Sequence, residues 1–229
     1  LTMITDYSRW LSAILIPSMR AEDVFAGWWE LISRLGAVPR NFVWHGGTAI
    51  GRQVGKQTLL TPECGSFCRF LSTEVVIRRP GTSAATSLIE SAHAYLEQSF
   101  LRDRVFNSPQ DFNAQLNDWL AAVNKRDRRA TNYSPAALIA HEREAMLQLP
   151  PIPPTTGWRQ SIRVAKHPFI HFDYNRYRIP SYIGDRTVDV LADLNRVRVL
   201  YGGALVAEYS RAWARGQTIP DLSHEASRG

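Results

Sequence analysis

The sequence predicts an α/β fold, in which a mixed sheet with flanking helices is followed by further helices and a small all-β domain. Runs typical of strands first alternate with helical patterns, and helices between later strands favour crossover connections. The C-terminal part has short β-like runs at even spacing, which is typical of a small barrel or sandwich. The proline-rich stretch PPIPPTTG between them predicts a stiff linker. The predicted segments are 1–105, 106–149, 150–157 and 158–229.

The first elements are predicted to be a β-hairpin and a helix. LTMIT at 1–5 and RWLSAILI at 9–16 are apolar runs separated by the polar turn DYS. Residues 21–35 then carry apolar side chains at a spacing of 3.6 residues. Gly36 follows at the position where glycine commonly ends a helix.

Two more strands, a short helix between them and three further helices are predicted before the linker. NFVW at 41–44 and STEVVI at 72–77 are short apolar runs, and residues 84–100 have a helical pattern. SPQDF at 108–112 starts another helix with a serine cap and a proline in the first turn. Ser-Pro starts the last helix, over about 134–147. Beyond the linker, the predicted strands are IRV, FIHF, YRI, TVDVLA, RVRVLY and LVAEYS.

The composition is that of a globular protein with a basic balance. The chain has 229 residues, 45% of them hydrophobic, which is enough to bury a core. Its net charge of +6 favours nucleic acid as a partner, although an ordinary basic protein explains the charge equally well. No apolar run approaches the roughly 18 residues of a membrane span. Cys64 and Cys68 lack further ligands at zinc-site spacing, so we expect buried free thiols.

The stretch NFVWHGGTAIG at 41–51 places a histidine and two glycines at the end of a predicted strand, where α/β enzymes often carry working side chains. A phosphate-binding loop is excluded because Arg52 and Gln53 replace the required lysine and hydroxyl residue. An esterase-type oxyanion turn is also excluded, because the chain has no G-x-S-x-G nucleophile motif.

Several stretches in order resemble the transposases of the IstA type, which belong to the integrase-core, ribonuclease H-like superfamily of DDE enzymes. The resemblance covers nearly the whole chain. It is carried by DYSRWLSAILIPS (6–18), RLGAVPRNFVWHGGTAIG (34–51), LIESAHAYLEQSF (88–100), SPQDFNAQLNDWL (108–120), GWR (157–159) and WARGQTI (213–219). The resemblance implies a C-terminal portion of such an enzyme. It would contain a truncated ribonuclease H-like core without its first strand, a helical extension and a small β-barrel domain.

The resemblance also implies a catalytic site with three acids that bind Mg²⁺. His45 occupies the place of the second acid, and Gly46 and Gly47 replace the residues after it. Glu90 matches the third acid, whereas the first would lie on a strand before Leu1. Divalent magnesium requires several hard oxygen ligands, and imidazole is a softer ligand. We therefore expect the chain not to bind Mg²⁺ productively and to lack strand-transfer activity alone.

Three interpretations of His45 remain open: a drifted residue without a role, a substitute ligand in an altered metal site, or a structural histidine that caps a backbone group. Two functions also remain open. The chain is either a catalytically impaired transposase or a non-catalytic DNA-binding or oligomerising remnant of one.

Basic residues are the candidate DNA-binding groups. The alternative for the cluster at 125–129 is a solvated helix end, where cations suit the helix dipole. The candidates are Lys125, Arg126, Arg128, Arg129, Arg52, Lys56, Arg78 and Arg79. The expected partners are DNA, further copies of the chain and an ATP-binding transposition helper protein, with no membrane partner. The resemblance implies a location in the bacterial cytoplasm, on nucleoid DNA.

Overall fold

The computed structural model describes residues 1–44, 49–55, 57–78, 84–128 and 132–220. The chain forms two compact units, Leu1–Thr155 and Thr156–Gly229, and the boundary falls within PPIPPTTG. The first unit combines helices with short sheets, and the second contains strands and one short 3₁₀ turn. The predicted mixed α/β class is therefore confirmed. None of the described helices is both long and apolar enough to cross a membrane.

The predicted hairpin and first helix are present at the start of the first unit. Strands β1 (Thr2–Ile4) and β2 (Leu11–Ala13) pair antiparallel. Helix α1 (Ala21–Leu35) follows, and two acidic residues in its first turn suit the positive end of the helix dipole. Gly36 ends it in the left-handed region, with φ at +80°, and donates its N–H to carbonyls of the last turn.

Two strands of this unit pair in parallel, and a second hairpin lies between them in the sequence. Strands β3 (Asn41–Trp44) and β6 (Glu74–Ile77) pair in parallel register. Between them, β4 (Gly51–Val54) and β5 (Gln57–Leu60) form an antiparallel hairpin, which the sequence did not predict. Helix α2 (Pro62–Leu71) completes the crossover, as parallel pairing requires.

Helix α2 contributes both cysteines to the main core of this unit. The Thr61 hydroxyl caps the helix by accepting the N–H of Cys64. Cys64 and Cys68 are buried free thiols, as predicted, with their sulfur atoms 3.8 Å apart. Their hydrogen bond and burial raise the pKa of the Cys64 thiol. The same core contains Trp28 of α1, whose ring stacks on Phe42 of β3 at 5.2 Å.

The remaining helices differ from the prediction mainly at their ends. Helix α3 (Ala84–Leu96) continues as a π-helical turn (Glu97–Leu101), where a single α-helix over 84–100 was predicted. The Ser99 hydroxyl donates to the Tyr95 carbonyl there, and such back-bonding perturbs the helical ladder. Helix α4 (Pro109–Asn124) begins at its predicted serine cap.

Helix α5 (Pro135–Glu144) also has its predicted serine cap, but it ends before the predicted 147. Leu147 leaves the helical path because its backbone pairs with that of Val38, through hydrogen bonds of 2.8 and 2.9 Å. This bridge ties the chain after α5 to the chain before β3.

Helix α4 covers the outer edge of β2 with asparagine side chains. Asn124 accepts the N–H of Leu11 at 2.9 Å and donates to its carbonyl at 2.8 Å. Asn113 forms the same pair of bonds with Leu15, at 2.8 and 3.1 Å. The helix therefore satisfies backbone groups that a further strand would otherwise satisfy.

The second unit is all-β, as predicted, and its described strands form two sheets. The first is antiparallel and contains β7 (Trp158–Arg163), β10 (Thr187–Ala192), β11 (Arg196–Tyr201) and β12 (Ala204–Ser210), in the order β12-β11-β10-β7. The second contains β8 (Phe169–Phe172), β9 (Asn175–Arg178) and β13 (Thr218–Ile219), in the order β13-β9-β8. Alternate residues of both sheets, such as Tyr177, Val190 and Val197, form one buried core.

Candidate nucleic-acid interface and acidic position

Glu90 lies on α3 with its side chain exposed. Its neighbour Ala92 is buried and Ile89 half-buried, because they pack in a core with Leu11 and Phe100. The packed face of the helix therefore fixes Glu90 on the solvent side. That position suits a carboxylate that binds a ligand as well as one that is simply solvated.

His45, which the resemblance places at the position of the second acid, lies outside the described residues, as do Lys56, Arg79 and Arg129. The strand before His45 is described, and Trp44 is its last residue. Trp44 lies opposite Ile77, and its carbonyl accepts the N–H of Arg78 at 2.9 Å. The parallel register therefore brings Arg78 to the carboxyl end of β3, where working residues of parallel sheets usually lie.

The described residues do not fit a pair of divalent metal ions. Among them, no group of three or more His, Cys, Asp and Glu side chains is arranged to hold a metal ion. Magnesium needs a nearly complete octahedron of oxygen ligands, with carboxylates balancing its charge. Glu90 is the one described residue that the resemblance assigns to an acidic position of the predicted site.

Helix α4 ends in a cluster of basic side chains. The Lys125 N–H closes the helix by donating to the Ala122 carbonyl, and its side chain is exposed. Arg126 is also exposed, and neither side chain forms an ion pair with a described residue. Both cations suit the negative end of the helix dipole, and both remain available to an external anion.

Arg128 is held more firmly than its neighbours. It is half-buried, and its Nη2 donates to the Arg9 carbonyl at 3.3 Å. Burial lowers the pKa of Arg128 from its ordinary value, and the nearby charge of Arg9 lowers it further. Two arginines far apart in the sequence thus concentrate positive charge at this end of α4.

Arg52 and Arg78 are exposed, and neither has an acidic partner in the described part of the chain. Arg52 lies on β4 opposite Leu59, in the hairpin inside the parallel crossover. Arg52 and Arg78 therefore lie outside the basic cluster at the end of α4.

Arg126 and Arg128 line a cavity of about 310 Å³ that the sequence did not predict, here called the arginine-rimmed pocket. Its other lining residues come from β1, β2, α3 and α4: Ile4, Leu11, Leu88, Ser91, Ala92, Tyr95, Val123 and Asp127. No local pattern predicts it, because its walls are brought together by tertiary packing. The adjacent Arg9 was missed for the same reason.

The sequence matches a family model and a curated relative. The model described as "Mu transposase, C-terminal domain" matches residues 149–221. The transposase for insertion sequence element IS21 from Pseudomonas aeruginosa is 28% identical over an alignment of 151 residues that covers 62% of this chain. The match covers 38% of that relative, so the chain spans well under half its length.

Two solved structures are similar at a TM-score of 0.48. The catalytic core domain of BIV integrase is 16% identical, with 63% of this chain and 86% of that chain covered. The simian T-cell lymphotropic virus intasome in complex with PP2A regulatory subunit B56 gamma is 12% identical, with 93% and 69% covered. The family model and the curated relative confirm the predicted resemblance of this chain to the transposases of IS21-type insertion sequences.

Proposed function

We propose that this chain is a DNA-binding portion of an IS21-type transposase that does not join DNA strands by itself. The cations at the end of α4 carry the DNA-binding part of the proposal. Lys125 and Arg126 are exposed without ion pairs to described residues, and Arg128 adds a third charge beside them. Such groups bind phosphates without selecting a sequence. We include Arg129, Arg52, Lys56, Arg78 and Arg79 as further candidate phosphate-binding residues.

The fold proposed for this function has four segments. Residues 1–105 form a ribonuclease H-like integrase core, and 106–149 form a helical extension. The linker at 150–157 leads to a β-barrel at 158–229 that assists DNA binding. The match of the family model to 149–221 supports the assignment of the last segment to transposases.

The proposed lack of catalysis rests on the position of His45. Glu90 matches the third acid of the family, but His45 stands where the second acid belongs. Gly46 and Gly47 follow it and offer no side chain that could act as a ligand. Loss of a single electrostatic group commonly lowers a rate by about 10²–10³. Magnesium, which would polarise the reacting phosphate when bound, is therefore not held productively here.

The whole enzyme would act with partners. We place it in the bacterial cytoplasm on nucleoid DNA, as a homo-oligomer beside an ATP-binding helper protein. The similarity to an insertion-sequence transposase supports DNA as a partner.

The test combines a mobility shift with a strand-joining assay. The purified chain is incubated with labelled element-end DNA and with unrelated DNA, in Mg²⁺ or Mn²⁺. We expect weak, salt-sensitive binding of both DNAs and no joined product, with Glu90→Gln behaving like the parent. Metal-dependent joining that Glu90→Gln abolishes would overturn the proposed inactivity. Absence of binding to either DNA at low salt would overturn the proposed DNA binding.

A second candidate is a non-catalytic DNA-binding or oligomerising remnant, which the sequence His45-Gly46-Gly47 favours. Addition of the chain to an intact relative distinguishes the two. A remnant lowers transposition by that relative through mixed oligomers or occupied DNA, whereas an impaired transposase regains joining activity when an intact subunit supplies the missing acids.

A further inference from the structure

The arginine-rimmed pocket has a floor of buried apolar side chains. Leu11, Ala92 and Val123 are almost completely buried, and Ile4 is half-buried beside them. Its volume of about 310 Å³ lies at the lower end of the range for ligand pockets. A site of this size accommodates one or two side chains rather than a large cofactor.

The walls of the pocket are held in place by packing. Tyr95 forms one wall, and its ring contacts that of Trp119 with the centroids 5.4 Å apart. Tyr95 is still 40% exposed, so part of an aromatic surface faces solvent. The pocket is therefore formed before a partner arrives, which reduces the entropy lost on binding.

The rim has an excess of positive charge. Among the described lining residues, Arg126 and Arg128 face one acid, Asp127. Arg9 adds a further cation next to Arg128, although Asp6 pairs with it at 3.0 Å. An apolar floor below a cationic rim is complementary to an apolar group that carries a carboxylate beside it.

We propose that the arginine-rimmed pocket binds an acidic segment of a partner polypeptide, which inserts one bulky apolar side chain and places a neighbouring carboxylate against Arg126. A nucleobase suits the floor less well, because its polar edge would lie against Leu11 and Val123 without hydrogen-bond partners. A leucine or phenylalanine side chain has no such edge. This interaction shares Arg126 with the proposed binding of phosphates, so peptide and DNA would compete for that side chain.

The test uses the full chain and a fluorescein-labelled peptide, Gly-Ser-Glu-Leu-Glu-Ser-Gly, in an anisotropy titration. Replacement of its leucine by alanine should weaken binding about tenfold, as expected for loss of one buried leucine. Replacement of its glutamates by glutamine should also weaken binding. No binding at up to about 1 mM peptide, or equal binding of the leucine and alanine peptides, overturns the proposal.

Matched variants distinguish peptide binding in the pocket from general attraction of the acidic peptide by positive charge. Arg126→Glu should weaken peptide binding about tenfold, whereas Lys125→Glu, with the same change in net charge outside the pocket lining, should have little effect. Both variants should weaken DNA binding, so failure of this proposal is distinguishable from failure of the proposed function. Equal peptide affinities of the two variants overturn the proposal.

A pair of tryptophan variants on α3 tests the cavity itself. Ser91→Trp fills the pocket from its rim, and Ala94→Trp places the same side chain on an exposed position outside the lining. Peptide binding should be lost in Ser91→Trp and kept in Ala94→Trp, with unchanged circular dichroism in both. The same titration is made with a single-stranded oligonucleotide. If the oligonucleotide binds and the peptide does not, and its binding is lost in Ser91→Trp but kept in Ala94→Trp, the proposal is overturned in favour of a nucleobase site.

Discussion

The side-chain amide of Asn124 on α4 forms hydrogen bonds with both backbone polar groups of Leu11 on β2. Asn124 is only 2% exposed, so water does not compete for these groups. The amide thus acts in place of a neighbouring strand and closes an edge that would otherwise be open to pairing with another chain.

Asn124→Ala should lower the free energy of unfolding by about 2–4 kcal/mol, because it leaves the buried N–H and carbonyl of Leu11 without partners. Asn113→Ala removes the equivalent bonds to Leu15 at an exposed site, where water replaces them, so its loss should stay below about 1 kcal/mol. Equilibrium unfolding in urea measures both. Equal losses would contradict the role assigned to burial at Asn124.

Glu142 on α5 should make stability depend on pH. Burial raises its pKa, but bonds from the Ser8 hydroxyl and from the backbone N–H groups of Ser8 and Tyr7 outweigh this and leave the pKa lowered. The stabilisation is therefore complete above the unfolded-state pKa and disappears as the pH falls through the lower folded-state value. Glu142→Gln should cost about 1 kcal/mol at neutral pH.

The cost of Glu142→Gln should shrink as unfolding is measured at progressively lower pH through the acidic range. Glu144→Gln is the matched control, because Glu144 is exposed and pairs with His141 on the same helix turn. A stability difference for Glu142→Gln that does not change with pH would show that its carboxylate charge is not involved.

The buried pair Arg211–Asp173 should be a main determinant of stability in the second unit. The Arg211 side chain is 2% exposed, donates to Asp173 and to the Asp193 carbonyl, and lies over the Phe172 ring. Arg211→Met should cost about 3–5 kcal/mol, because it removes the buried positive partner of a largely buried carboxylate. Hydrogen exchange of peptides from β8–β12 measures the loss.

Arg196→Met is the control for Arg211→Met, because Arg196 pairs with Glu208 at an exposed site. Its effect on hydrogen exchange should correspond to about 1 kcal/mol or less. Similar protection losses in the two variants would contradict the importance of burial for the Arg211 pair.

The basic end of α4 should determine the salt dependence of DNA binding. Lys125→Glu and Arg126→Glu should each reduce the slope of log K against log salt by about 1. Arg34→Glu should have a smaller effect, because Arg34 is already paired with Glu30 at 2.8 Å. Mobility-shift titrations at several salt concentrations give the slopes, and identical slopes in all three variants would exclude this cluster as a phosphate contact.

The sequence correctly predicted those helices and strands whose apolar residues recur at one regular spacing. Helix α1, with its apolar spacing and Gly36, is such a case. The hairpin β4–β5 was missed because its residues alternate between half-buried and exposed, with Val54 and Leu59 on the exposed side. Neither face of this hairpin therefore gives a strong strand signal.

Less of the candidate site than of the fold could be predicted from the sequence, because tertiary packing brings the residues of the site together. The basic run at 125–129 is visible in the sequence, but the proximity of Arg128 to Arg9 and Tyr95 depends on how α4 packs on β1, β2 and α3. The roles of His45 and Glu90 come from family resemblance rather than from local spacing, and they stay predictions.

From the parallel pairing of β3 with β6 we expect the main core to form late during folding. The hairpins β1–β2 and β4–β5 close over short turns, a process of about 1–10 μs. Asn41 meets Glu74 only after β4, β5 and α2 have been placed between them, so a long loop must close first. We therefore expect Phe42 and Cys64, which share the main core, to be buried late in the folding of the first unit.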